Sequence, residues 1–167
     1  MASPLTQHVC STEVWIARLR DFLHDCAGSA PSEEHDRIRE GLLLFLHDPA
    51  RGEKRLGAGQ KPGQKPEPKS AHKLDPAAIE AMLACGATES AVLALIGPND
   101  TFMLSRGLNG TCLATLVMAD GSEEMICEAA TLSLALLAAY VSKLLTGMER
   151  RDTEAAPVTL PSGVRLH

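Results

Sequence analysis

Two histidines carry the most suggestive spacing in the chain. His24 and His47 each precede an aspartate at the end of the same tetrapeptide, Phe-Leu-His-Asp, at 22–25 and 45–48. Imidazole beside carboxylate is the donor set of a metal site or an acid–base pair. Two helix ends brought together would gather both units, with His8, Cys10, Cys26 and His35 in the same stretch. The competing reading is structural, because a histidine in a last helical turn favours the negative end of the helix dipole. His24 and His47 are therefore candidates for metal, and the preferred expectation is no metal and no cofactor.

Other constellations fall short of a known chemistry. Gly63-Gln-Lys-Pro-Glu-Pro-Lys69-Ser70 has Pro68 where a phosphate-binding loop needs its second glycine. Proline removes a backbone donor, and no strand precedes the run. No Gly-x-Ser-x-Gly elbow occurs. Cys85, Cys112 and Cys127 have only His72 nearby as a base, and it falls in a linker. The five cysteines (with Cys10 and Cys26) are an odd number with no Cys-x-x-Cys pair, and they read as reduced, buried thiols. A non-enzymatic chain is the expectation.

Charge partitions the 167 residues into four parts, and the net charge is −5. Residues 1–50 hold eight acids and four bases; 51–73 hold seven bases and two acids; 74–147 hold eight acids against Arg106 and Lys143; 148–167 balance at three each. The basic part is rich in Gly, Gln, Lys and Pro and cannot bury enough apolar surface to offset chain entropy, so it predicts a disordered linker. Its seven cations could attract phosphate without reading sequence, but the acidic parts on either side would repel a nucleic acid. Nucleic acid is thus the alternative partner, not the first.

Elements follow from periodicity. Trp15, Ile16, Leu19, Phe22, Leu23 and Cys26 have helical spacing from a cap at Ser11 or Thr12 to Gly28. A second helix from about Pro31–Ser32 to Pro49 would bury Ile38, Leu42, Leu43, Phe45 and Leu46. Asp75-Pro76 caps a third helix that stops at Gly86. Four strands are predicted at Ala91–Ile96, Thr101–Arg106, Thr111–Met118 and Glu124–Glu128, with Asn109-Gly110 and Asp120-Gly121 as hairpin turns. Thr131 then caps a helix from Leu132 to Thr146, stopped by Gly147. The fold class is α+β: a helical hairpin (1–50), the linker (51–73), an α-β-β-β-β-α domain with an antiparallel meander (74–147) and a flexible tail (148–167). The tail could also add a strand to a partner's sheet edge.

The last helix is apolar nearly all round, so it needs cover on two sides, from the N-terminal hairpin or from a second copy. Its Leu132, Leu136, Leu137, Tyr140, Val141 and Leu144 are the candidate interface of a homodimer. On the fourth strand Glu124, Ile126 and Glu128 share one face, and Glu124 and Glu128 are candidates for docking a basic partner. The longest uncharged apolar run, Ala129–Ser142, is shorter than the ~20 residues of a membrane span, and no secretory leader precedes it. A cytoplasmic protein without membrane contact is expected.

The α-β-β-β-α outline is similar to that of double-stranded-RNA-binding domains. Those hold phosphates with lysines at the start of their last helix. Here that helix opens Thr131-Leu-Ser-Leu-Ala-Leu-Leu-Ala-Ala, with no base before Lys143, so that activity does not carry over. Met125-Ile-Cys-Glu-Ala-Ala-Thr-Leu-Ser-Leu-Ala-Leu-Leu-Ala-Ala139 resembles the strand-to-helix signature of small phage "ABA sandwich" domains. That resemblance covers about fifteen residues. It implies a bacterial prophage or mobile-element origin and helix–sheet–helix layers, and it brings no catalytic residues. The function expected is a small protein-interaction module: an adaptor, regulator or inhibitor. A nucleic-acid-binding regulator using the basic linker is the alternative, and a metal-binding protein or metal-dependent enzyme using His24 and His47 the second.

Overall fold

The structure, a computed structural model, describes residues 4–48, 74–118, 121 and 123–155, with side chains between residues 12 and 151. The basic linker at 51–73, the Asp120-Gly121 turn's first residue and the tail beyond 155 lie outside them. Helix α1 runs Pro4–Gly28, a 3-10 turn Pro31–Glu33 leads into α2 at Glu34–Leu46, and α3 (Pro76–Ala84) and α4 (Thr88–Ile96) follow. Strands β1 (Thr101–Arg106), β2 (Cys112–Val117) and β3 (Glu124–Ala129) form one antiparallel sheet in the order β1-β2-β3. Helix α5 (Leu132–Ala155) closes the chain. The protein is α+β.

The order is therefore α-α-β-β-β-α after the hairpin, with three strands where four are expected. Ala91–Ile96 is helix. Thr88, Ala91, Val92, Leu95 and Ile96 are its buried positions, the i, i+3, i+4, i+7, i+8 set of a helix packed on one side. Two boundaries also move. Helix α1 starts at Pro4, not at Ser11 or Thr12, because proline is tolerated in a first turn and no glycine interrupts the residues after it. Helix α5 passes through Gly147, whose cost of about 1 kcal/mol relative to alanine does not stop a helix tied down on both sides. Downstream of that glycine, Arg20 of α1 meets Glu149 at 3.2 Å and Met148 packs against the core.

Local signals elsewhere act as read. The Asp75 carboxylate accepts from the Ala77 and Ala78 backbone N–H groups at 3.1 and 3.3 Å, with Pro76 at the first helical position. Thr131 Oγ1 accepts from the Leu134 N–H at 3.2 Å and caps α5. The β1–β2 hairpin closes through Gly107-Leu-Asn-Gly110, where Gly110 takes φ +83°, a conformation that L side chains rarely adopt.

One continuous apolar core joins the hairpin to the rest. Helix α5 lies between the sheet and the hairpin: its residues pack on β2 and β3 on one side and on α1, α2 and α4 on the others. The hairpin is the second cover, so the all-round apolar surface of α5 is met within the chain. Gly41 of α2 permits the close approach, since a Cβ there would sit 3.2 Å from Phe22 Cζ and 3.5 Å from Leu137 Cδ1. Phe45 meets Tyr140 edge-to-face at a centroid distance of 5.3 Å. Trp15 Nε1 donates to the Leu44 carbonyl at 3.0 Å, and Arg39 binds Glu80 of α3 at 3.0 Å. In α2 the buried set is Ile38, Gly41, Leu42 and Phe45, whereas Leu43 and Leu46 face outward.

Candidate functional site

Among the described residues, the sheet has one covered face and one open face. Pairing runs Thr101–Val117–Glu124, Met103–Thr115–Ile126 and Ser105–Leu113–Glu128 across the three strands. These nine residues share a face by strand alternation. The intervening rows, including Cys112, Ala114, Leu116, Cys127 and Ala129, point to α5. Small residues there let the helix approach closely. On the open face Met103 is 65% and Ile126 62% exposed, and Leu113, Thr115 and Val117 are half-buried between them. Glu124 and Glu128 are exposed, two residues either side of Ile126, and none of the nine residues is a base. At one end, Leu108 stands fully exposed at the hairpin tip.

This arrangement is an apolar strip with an acidic border on one long side. Such a strip excludes water from a partner's apolar side chains, while carboxylates at its margin favour lysine or arginine opposite them. It is a surface and not a cavity.

The sequence-derived candidates fall in different places. Leu136, Leu137 and Val141 are buried in the chain's own core, and Leu132, Tyr140 and Leu144 are half-buried against it. As a homodimer interface they are replaced by the intramolecular cover of the hairpin. Glu124 and Glu128 do stand together on the open face. His24 and His47 do not meet: α1 and α2 pack antiparallel, as the pairs Trp15–Leu44 and Asp25–Arg37 show, so the two histidines lie toward opposite ends of α2. His47 Nδ1 is engaged by the Leu43 carbonyl at 2.7 Å, a satisfied helix end. Among the described residues, no group of three or more His, Cys, Asp or Glu is gathered to hold a metal ion.

A cleft of about 440 Å³ lies between α1 and α2, lined by Trp15, Arg18, Asp21, Phe22, Glu40, Leu43, Leu44 and His47. Its polar groups include both signs. Of the thiols, Cys26 and Cys112 are buried, Cys127 is partly buried with Sγ 3.5 Å from Ser142 Oγ, and Cys85 is exposed. Burial pushes the Cys26 thiol from 9.0 up to about 12, the opposite of an activated nucleophile. Lys143 pairs with Asp100 just ahead of β1, and burial lowers the ammonium below its usual range.

Met103 and Leu108 are the residues of this surface that sequence reading leaves unassigned. Alternation within β1 carries the signal for Met103, once the pairing register with β2 is known. Helix α5 between Leu132 and Arg151 is long and apolar enough by length and composition to cross a membrane, with half of that window buried inside the fold. Compared with protein-family models, curated proteins and solved structures, the chain gives no match.

Proposed function

We propose that this chain is a non-enzymatic protein-interaction module, an adaptor, regulator or inhibitor, that docks a basic partner on the open face of its sheet. One observation carries the reading: Met103 and Ile126 remain well exposed at the two ends of the middle row, either side of Thr115, with Glu124 and Glu128 flanking Ile126. Ordinary surface leucines and methionines are scattered singly, whereas here four apolar side chains, Met103, Leu113, Val117 and Ile126, ring Thr115 across three paired strands. The partner chemistry that fits is an apolar stripe with lysine or arginine along one side. Association would weaken with added salt only in its charged component, because the apolar strip is indifferent to ionic strength.

The test uses cross-linking of the full chain in its own cellular background. Wild type is compared with Ile126→Arg, with Glu124→Lys combined with Glu128→Lys, and with a hairpin control, Leu43→Ser. Partners lost from both sheet variants and retained by the control support the reading. Partners retained by both sheet variants overturn it.

A further inference from the structure

The two edges of the sheet differ in a way that bears on self-association. Gly107 N–H donates to the Thr111 carbonyl at 2.8 Å and Met118 N–H to the Glu123 carbonyl at 3.0 Å. With the strand register, these bonds fix the phase of both ladders. Thr101, Met103 and Ser105 turn their backbone groups to β2. Phe102, Leu104 and Arg106 turn theirs to the free edge. On β3 the edge-facing residues are Glu124, Ile126 and Glu128. Among the described elements, β1 touches only β2 and α5, whereas β3 is also approached by α1.

Edge strands are usually blunted by lysine, proline, a bulge or a covering element. Strand β1 has none of these from Thr101 through Ser105, and Phe102 is 36% exposed although it points to the helix side. We infer that β1 pairs antiparallel with β1 of a second copy of this chain, about a two-fold axis through Met103, giving one six-stranded sheet.

Charge selects both the edge and the register. A two-fold through the other edge, about Ile126, would place Glu124 opposite the second copy's Glu128 twice over, and like charges directly opposite destabilise a pair. A two-fold through Met103 sets Phe102 opposite Leu104 of the second copy, both apolar and both with free backbone groups. Arg106 then lies opposite Asp100 of the second copy, whose carboxylate is already held by Lys143 of its own chain, so no unmet charge enters this register. Shifting the axis to Leu104 would instead face Phe102 with Arg106. Thr101 meets Ser105, and the two Met103 side chains meet on the open face. The paired sheets then merge their apolar strips into one, with the glutamates on its two outer strands. Six-residue edges alone bury less than the ~1,200 Å² of a stable interface, so the dimer forms reversibly with concentration.

Sedimentation velocity of the full chain across a wide concentration range tests this, with Met103→Lys and Met103→Cys variants. The expected result is a mass rising from 17.8 kDa toward twice that value. Met103→Lys, at an exposed position, keeps the wild-type melting curve at low concentration, where both are monomers, and stays monomeric as concentration rises. Met103→Cys gives a dimer under mild oxidation whose cross-linked peptide joins residue 103 to residue 103. A wild-type mass that never rises overturns the inference. So does a dimer unaffected by Met103→Lys, and so does open-ended growth, which would mean β1 pairing with β3 head to tail. The outcome is independent of partner docking, since it is read on the purified chain alone.

Discussion

The two faces of the sheet differ in apolar content and in fate: eight of nine residues are apolar on the face toward α5, four of nine on the face away from it. Toward α5, Cys112, Ala114, Leu116 and Ala129 are buried against Leu134, Ala135, Leu137, Ala138 and Val141. Away from it, Met103, Leu113, Val117 and Ile126 line a face with no helix on it among the described residues. The difference lies in composition and company. The covered face sets Leu104, Leu116 and Met125 among small residues against an alanine-rich helix; the open face intersperses its apolar side chains with hydroxyls and two glutamates. Apolar alternation makes a strand, but complementarity to a neighbour decides which side becomes core.

The largest contrast should appear on truncation. Leu137→Ala, at a fully buried position beside Gly41 of the hairpin, is expected to cost about 2–5 kcal/mol in chemical denaturation. Met103→Ala on the open face should fall within about 0.5 kcal/mol of wild type. Comparable losses at the two positions would mean that the open face is covered in solution.

A second contrast is in titration. Unfolded, the Cys26 thiol ionises near its ordinary value of 9.0; folded, burial holds it up to about 12. Between those values the unfolded chain releases a proton that the folded chain retains, so stability falls as pH rises through that interval. The fall amounts to a few kcal/mol, on the order of the shift itself. Below pH 9 both states are protonated and the effect vanishes. Denaturation of Cys26→Ala across the same range should show a flatter alkaline limb than wild type. Equal slopes would place Cys26 in contact with water.

Adding volume should separate the faces next. Ala114→Leu points into the helix layer and is expected to destabilise by about 1–3 kcal/mol through overpacking. Thr115→Leu, its neighbour on the open face, meets no packed layer and should be nearly neutral. Thermal melts of the two single variants measure this directly.

How much of this was legible depends on the signal each element uses. Asp75-Pro76, Thr131 and Asn109-Gly110 act within a few residues, so caps and the hairpin could be read from local chemistry. Helix α4 was not legible as such, because Ala91–Ile96 is a short run with β-branched Val92 and Ile96 ahead of Gly97-Pro98, and period alone cannot separate strand from helix there. Thr88 and Glu89 extend the helical pattern backward, but Thr88 counts as apolar only once its burial is seen. Gly147 failed as a stop because tertiary ties outweigh its propensity. The choice between hairpin and second copy as cover for α5 depended on non-local contacts such as Phe45–Tyr140, which no spacing encodes. Glu124 and Glu128 were readable as one face; their placement in the rows of Thr101 and Ser105, either side of the Met103–Ile126 row, required the register of all three strands.

The finest contrast uses charge on the open face itself. Ile126 stands between Glu124 and Glu128, each two residues away on the same face of β3. If the side chain is exposed and only borders the carboxylates, Ile126→Lys brings a cation between two anions. Exposed pairs of this kind contribute about 0–1 kcal/mol, so the variant should be neutral or slightly more stable. Ile126→Glu instead makes a row of three like charges and should be slightly less stable. The gap between the two variants should shrink as salt is raised, because exposed charges are screened. A buried Ile126 would behave otherwise: both variants would lose more than about 1 kcal/mol by desolvation of a charge, and salt would not close a gap between them. Denaturation of the pair at low and high salt therefore separates a face held open for a partner from one already occupied.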